Sequence, residues 1–161
     1  MMKRALTPGT FDPITYGHLD IIKRATAIFD EVVVAVAEST PKNTLFTIEE
    51  RTELVREATK CFENVRVENF DCLLVDFARQ MDAHVLVKGL RAITDFEYEF
   101  QMNALNHQLD NYIETSFIMS PPKFMYLSSS IVRELASLNG DVSSLVPPCV
   151  EEALKRKFAK N

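Results

Sequence analysis

The chain begins with a short apolar run over 3–7 that stops at Pro8-Gly9. Beyond it, Leu19, Ile22, Ala25, Thr26 and Phe29 recur at three- and four-residue spacing, which predicts a helix over 18–29 with one apolar stripe. The segment EVVVAVA at 31–37 is almost continuously apolar, the pattern of a strand buried on both faces. Thr47 and Glu50 stand at capping-box spacing and open a helix that runs to Lys60. The same reading predicts strands over 65–68, 84–88 and 115–119. It predicts helices over 73–81, 95–109 and 128–138, and a last helix opened by Pro147-Pro148 and ending near Phe158.

Strands that alternate with helices across short links imply an α/β fold. The expected architecture is a doubly wound, mainly parallel five-stranded sheet of Rossmann-like type, with right-handed crossovers. Residues 1–161 read as a single domain, with C-terminal helices from about 128 onward. The stretch 140–148 is a hinge candidate or a plain surface turn. Sheets wound this way bind ligands at the carboxyl ends of their strands, which directs attention to the loops after residues 7, 37, 88 and 119.

Composition narrows the function. The net charge is -5, which argues against wholesale nucleic-acid binding but leaves room for a local basic pocket. No apolar run is long enough to span a membrane. The basic start, Met1-Met2-Lys3-Arg4, is not followed by a signal-type apolar region before Pro8, so a cytoplasmic protein is expected. The three cysteines, Cys61, Cys72 and Cys149, form no CxxC pair and are expected to be reduced thiols with packing roles.

The four loops carry candidate chemistry. In the first, Gly9 and Gly17 flank a segment leading to His18 at a helix start, where free N–H groups and the dipole favour an anion. His18 either donates a hydrogen bond to a phosphate there or simply caps the helix. No GxxxxGK[ST] or GxGxxG is present. The second loop, 38–46, carries Lys42, and the third reads Lys88-Gly89-Leu90-Arg91. Two cations around a glycine suit polyphosphate, Lys as a point charge and Arg as a planar fork. The fourth ends in Ser128-Ser129-Ser130, one serine as N-cap and the others with spare hydroxyls. Together they point to a substrate with several phosphates.

These residues resemble the nucleotidyltransferases with an HxGH or TxGH motif, here Thr15-Tyr16-Gly17-His18, partnered by Leu127-Ser-Ser-Ser130. The match is close to the bacterial phosphopantetheine adenylyltransferases. It includes PGTFDPxTxGH at 8–18, FTxEER at 46–51, GLRAxxDFEYE at 89–99 and SSSxVRE at 128–134. The resemblance implies adenylyl transfer from ATP to 4'-phosphopantetheine, giving dephospho-coenzyme A and pyrophosphate. It also implies Mg2+ with ATP, a homohexamer and inhibition by coenzyme A.

Residue roles follow position by position. Thr10 and Lys42 resemble the pair that positions the attacking phosphate, and His18 the residue at the α-phosphate. Catalysis would then rest on His18, Lys42, Thr10 and Arg91. Thr10, Phe11, His18, Gly89, Leu90, Arg91 and Glu99 resemble ATP contacts, as do Phe124, Met125, Tyr126, Leu127, Ser128, Ser129 and Ser130. Lys88 would face the pantetheine phosphate. Leu73, Leu74, Met102 and Asn106 resemble the pocket for the pantetheine arm, and Leu73, Leu74 and Met102 can also be read as helix core. Glu134 is read as a pocket residue or as the start of an exposed face. Lys88, Tyr16, Thr7 and Phe124 depart from the usual Arg, Asn, aromatic and Trp.

The implied mechanism is in-line displacement needing no strong base and no carboxylate cage for the metal. The rivals are a nicotinate mononucleotide adenylyltransferase, a non-catalytic nucleotide-binding regulator and a flavodoxin-like carrier.

Overall fold

The computed structural model describes residues 2–38 and 43–159. Five parallel strands, β1 (Arg4–Gly9), β2 (Glu31–Ala37), β3 (Val65–Phe70), β4 (Val85–Leu90) and β5 (Glu114–Met119), form one sheet in the order β3-β2-β1-β4-β5. Helices α1 (Tyr16–Thr26), α2 (Ile48–Thr59), α3 (Leu74–Gln80), α4 (Ile93–Leu109), α5 (Ser129–Ser137) and α6 (Pro148–Phe158) cover it.

The alternation along β2 builds two cores. Val32, Val34 and Val36 face one way, onto Ile21, Ile22 and Ala25 of α1, Val55 of α2 and Val150 and Leu154 of α6. Val33 and Ala35 face the other way, with Leu6 and Leu86, onto Val75, Phe77 and Ala78 of α3. A strand buried on both faces has no polar side to present, which is why EVVVAVA reads as it does. Thr47 and Glu50 form the expected capping box, with Glu50 N–H donating to Thr47 Oγ1 at 3.2 Å and Thr47 N–H to Glu50 Oε2 at 2.9 Å.

Winding reverses at β1. It pairs with β2 over six residues, Arg4↔Glu31 to Gly9↔Val36, but with β4 only at Ala5↔Val85 and Leu6↔Leu86. Beyond Leu6 and Leu86 the two strands part at their carboxyl ends. That is the switch-point crevice in which such sheets bind ligands.

Some elements differ from expectation. α1 begins at Tyr16, so Gly17 lies inside the first turn rather than before it. β4 runs to Leu90 because its register with β5 continues to Leu90↔Met119, so Gly89 and Leu90 are strand residues and not loop. The 140–148 stretch is a packed turn: Val142 and Val146 are buried, and Tyr16 N–H donates to Leu145 O at 3.0 Å. Cys61 and Cys72 are exposed and Cys149 is half-buried, so two of the three thiols have no packing role.

Gly89 has a packing reason. A Cβ there would lie 2.9 Å from Ile21 Cγ1, so its absence lets α1 close onto β4. Gly89→Ala is expected to destabilise by about 1–3 kcal/mol through overpacking. In a Gly89→Ala/Ile21→Ala double-mutant cycle followed by urea unfolding, the two losses are expected to fall short of additive. Additive losses would count against this contact.

Candidate active site

A cavity of about 780 Å³ opens where β1 and β4 part, a volume suited to a small-molecule ligand. Thr7 to Asp12 line it from β1 and the following loop, Ala37, Asn43 and Thr44 from β2 and its connection, and Lys88, Gly89 and Arg91 from the end of β4. Thr15, Gly17 and His18 at the start of α1, with Ser128, Ser129 and Ser130 at the start of α5, close one side. Leu74 of α3 and Tyr98, Glu99 and Met102 of α4 line the other.

The first loop is held by its own side chains. Phe11 has a left-handed backbone (φ 49°), an outlier for a bulky residue. Its ring is buried and meets the His18 ring edge-on, with centroids 5.1 Å apart. Gly9 leaves room for that ring, since a Cβ on Gly9 would sit 2.9 Å from it. Thr15 caps α1, and its N–H donates to His18 Nδ1 at 3.0 Å.

That bond fixes the chemistry of His18. A backbone N–H can only donate, so Nδ1 is the acceptor and carries no proton. Burial, and secondly the Arg91 guanidinium, lower the imidazole pKa from 6.5 to about 4. The ring is therefore neutral at pH 7, with its proton on Nε2, the edge turned away from the cap. His18 caps the helix and also keeps a donor for the cavity that it lines.

Among the described residues, the cations of the pocket are balanced by acids. Each of three cavity cations has an acidic neighbour: Lys88 Nζ lies 2.6 Å from Glu99 Oε2, Arg91 Nε 3.5 Å from Asp95 Oδ2, and Arg133 Nη1 3.4 Å from Asp12 Oδ2. Arg91 also donates to Leu127 O at 2.7 Å, which ties β4 to the segment before α5. Among the described residues, the neutral donors left for an anion are His18 Nε2–H, the Gly17 amide of α1 and the Ser129 and Ser130 amides of α5, since the Tyr16, His18 and Ile131 amides are already engaged. Ser128 is the N-cap, accepting from Ile131 N–H at 3.2 Å, while Ser129 Oγ donates to Pro13 O at 2.8 Å.

The structure brings Thr10, Phe11, His18, Leu74, Lys88, Gly89, Arg91, Glu99, Met102, Leu127 and the three serines to this cavity. Lys42 lies outside the described residues. Leu90, Asn106, Leu73, Glu134, Phe124, Met125 and Tyr126 do not line it. Leu90 and Asn106 are buried elsewhere, Asn106 with an unpartnered side-chain nitrogen. Leu73 precedes the first turn of α3 and is exposed, as are Glu134, Met125 and Tyr126, whereas Phe124 is half-buried.

A family profile described as cytidylyltransferase-like matches residues 6–135. The chain is 58% identical over 159 residues to the phosphopantetheine adenylyltransferase of Symbiobacterium thermophilum, covering 99% of this chain and 98% of that protein. It is 55% identical to the protein of that name from Moorella thermoacetica, covering 98% of both, and 53% identical to that from Geobacter metallireducens, covering 98% and 97%. The chain belongs to the phosphopantetheine adenylyltransferase family. The fold extends further: a Vibrio parahaemolyticus protein provisionally named a nicotinate-nucleotide adenylyltransferase superposes with a TM-score of 0.75 at 19% identity, covering 96% of this chain and 99% of that one.

Within this family member the sequence reading passed over Asp12, Arg51 and Arg133. All three stand inside the quoted motifs, but their partners come from distant segments. Asp12 accepts from Leu45 N–H at 2.8 Å and Phe46 N–H at 3.0 Å. Thr7 also lines the cavity's edge, with a buried hydroxyl that has no partner.

The lowered His18 pKa links stability to pH. The unfolded chain takes up a proton near pH 6.5 and the folded one near 4, so stability falls as pH drops through that window. Relative to His18→Gln, the parent is expected to lose up to about 3 kcal/mol of unfolding free energy between those values. Parallel stability curves for the two proteins would overturn the assignment.

Proposed function

We propose that this chain transfers the adenylyl group of ATP to 4'-phosphopantetheine, giving dephospho-coenzyme A and pyrophosphate. The observation that carries the reading is the neutral His18 donor beside two helix N-termini in the switch-point cavity, in a chain 52–58% identical to phosphopantetheine adenylyltransferases over almost its whole length. The nicotinate-type rival rests on a likeness of fold at 19% identity.

A phosphate oxygen of the acceptor attacks the α-phosphorus. A new P–O bond forms, the bond to the β-phosphate oxygen breaks, and pyrophosphate leaves with that electron pair. The acceptor is largely a dianion at pH 7, because its second pKa is near 6. No general base is required, so the protein's work is positioning and charge stabilisation. In this reading His18 Nε2–H and the α5 amides meet the α-phosphate oxygens, and Arg91 braces the nucleotide side. Thr10, Lys42 and Lys88 hold the acceptor phosphate, while Leu74 and Met102 take the pantetheine arm. The cavity acids Asp12, Asp95 and Glu99 already engage cations, which fits Mg2+ carried by triphosphate oxygens and water rather than seated on the protein. The ion would offset charge on the leaving pyrophosphate.

Three further points belong to the proposal. Coenzyme A shares the pantetheine arm and fits as a competing inhibitor. The exposed Phe96, Phe100, Leu105 and Leu109 of α4 support burial between copies, as in a homohexamer. A cytoplasmic site of action fits the absence, among the described residues, of any helix long and apolar enough to cross a membrane.

Capping and catalysis by His18 can be separated. Gln at this position preserves the capping box but lacks the imidazole. His18→Gln is expected to keep the melting temperature of the parent and lose about 10²–10³ in kcat, with ATP affinity little changed. A pyrophosphate-release assay with ATP and 4'-phosphopantetheine reads it, and near-parental kcat would remove His18 from the chemistry.

Glu99 occupies Lys88 as an internal anion would. Glu99→Gln should free that cation and tighten 4'-phosphopantetheine about threefold to tenfold, up to about 1.4 kcal/mol, while pantetheine without its phosphate is unaffected. Titration calorimetry distinguishes the two ligands, and equal changes for both would refute the competition.

A further inference from the structure

Arg51 lies on α2 and is only 2% exposed. A guanidinium that deep is normally matched to a carboxylate, yet its hydrogen bonds run to three backbone carbonyls. Nη1 donates to Thr10 O at 2.7 Å and to Ala37 O at 2.8 Å, and Nε donates to Phe46 O at 3.3 Å. These carbonyls belong to the first cavity loop, the carboxyl end of β2 and the entry to α2. Asp12 bonds to the same junction. Its carboxylate accepts the Leu45 and Phe46 amides, and Arg133 of α5 donates to its backbone carbonyl.

The carbonyl of Thr10 belongs to the peptide that enters Phe11, whose backbone is left-handed. Such a conformation persists only where surrounding contacts over-determine it. The Phe11 ring it produces is the one packed against His18. A single buried cation thus sets the direction of the Thr10 carbonyl and supports the loop whose Phe11 ring packs on His18, without lining the cavity itself.

We infer that Arg51 is a positioning residue for adenylyl transfer: it acts through the Thr10 carbonyl and Phe11 to hold the acceptor loop and His18 in mutual register. The inference rests on the function proposed above. Because it concerns alignment of two groups rather than affinity for either, its loss should fall on kcat and acceptor KM and spare ATP binding. Misplacement of about 1 Å can cost on the order of a hundredfold in rate.

The test is Arg51→Lys, which keeps the charge but cannot span three carbonyls. Folding is checked by circular dichroism and thermal melting, ATP affinity by calorimetry, and kcat and both KM values by pyrophosphate release well below the melting transition. The expected result is a folded protein with kcat reduced roughly tenfold to a hundredfold, a raised KM for 4'-phosphopantetheine, and ATP affinity within about threefold of the parent. A folded Arg51→Lys with parental kcat overturns the inference, as does one whose ATP affinity and kcat fall together. If Arg51→Lys does not fold, Asp12→Asn probes the same junction, leaving a single acceptor oxygen for the Leu45 and Phe46 amides. It must show the same split, and a fully active Asp12→Asn overturns the inference. A parent protein that releases no pyrophosphate from this substrate pair would instead refute the proposed function.

Discussion

The short ladder between β1 and β4 is the constraint on which the rest depends. β1 follows β2 through all six of its residues but keeps β4 for only two. Had the second ladder continued, Thr7 and Val87 would sit in a closed sheet and the cavity they line would not exist. Reversal of winding at β1 also sends α1 to one face and α3 and α4 to the other. His18 of α1 and the apolar wall of Leu74 and Met102 thereby reach the same opening from opposite faces of the sheet.

Among the described residues, the cavity carries no surplus of bare charge. Each of the three described cations has an acidic neighbour within 4 Å, and His18 is neutral. Neutral donors fixed by folding need no reorganisation as charge shifts during the reaction, which is where electrostatic stabilisation gains most. The Thr15 cap gives His18 its tautomer, so the hydrogen bond that caps the helix also leaves the ring's proton on the edge away from the cap. The net charge of -5 is compatible with phosphate chemistry for the same reason.

Much of the fold was legible in the sequence because its signals are local. EVVVAVA gave its strand to the residue, and Thr47-Glu50 its capping box, since both depend on neighbours within a few positions. The cavity lining was legible where a motif residue sits on a helix start or strand end, as with His18, Arg91 and Ser128–Ser130. The strand boundary was less legible at the carboxyl end of β4, where pairing with β5 extends the strand through Gly89-Leu90. Leu73 and Leu74 look alike in sequence, yet Leu73 stays outside the first turn of α3 and exposed, and only Leu74 lines the cavity. The packing of Gly89 against Ile21, 68 positions away, had no signal in the sequence around either residue.

The sequence by itself determined the elements, the α/β class and the family, because periodicity, caps and motifs are written in consecutive residues. Tertiary structure decided the rest: where β1 and β4 separate, that Lys88 is held by Glu99, and that Arg51 joins Thr10, Ala37 and Phe46. These depend on which distant groups arrive at hydrogen-bonding distance, and at such range one residue's electrostatics are set by partners that its own neighbourhood in the chain does not specify.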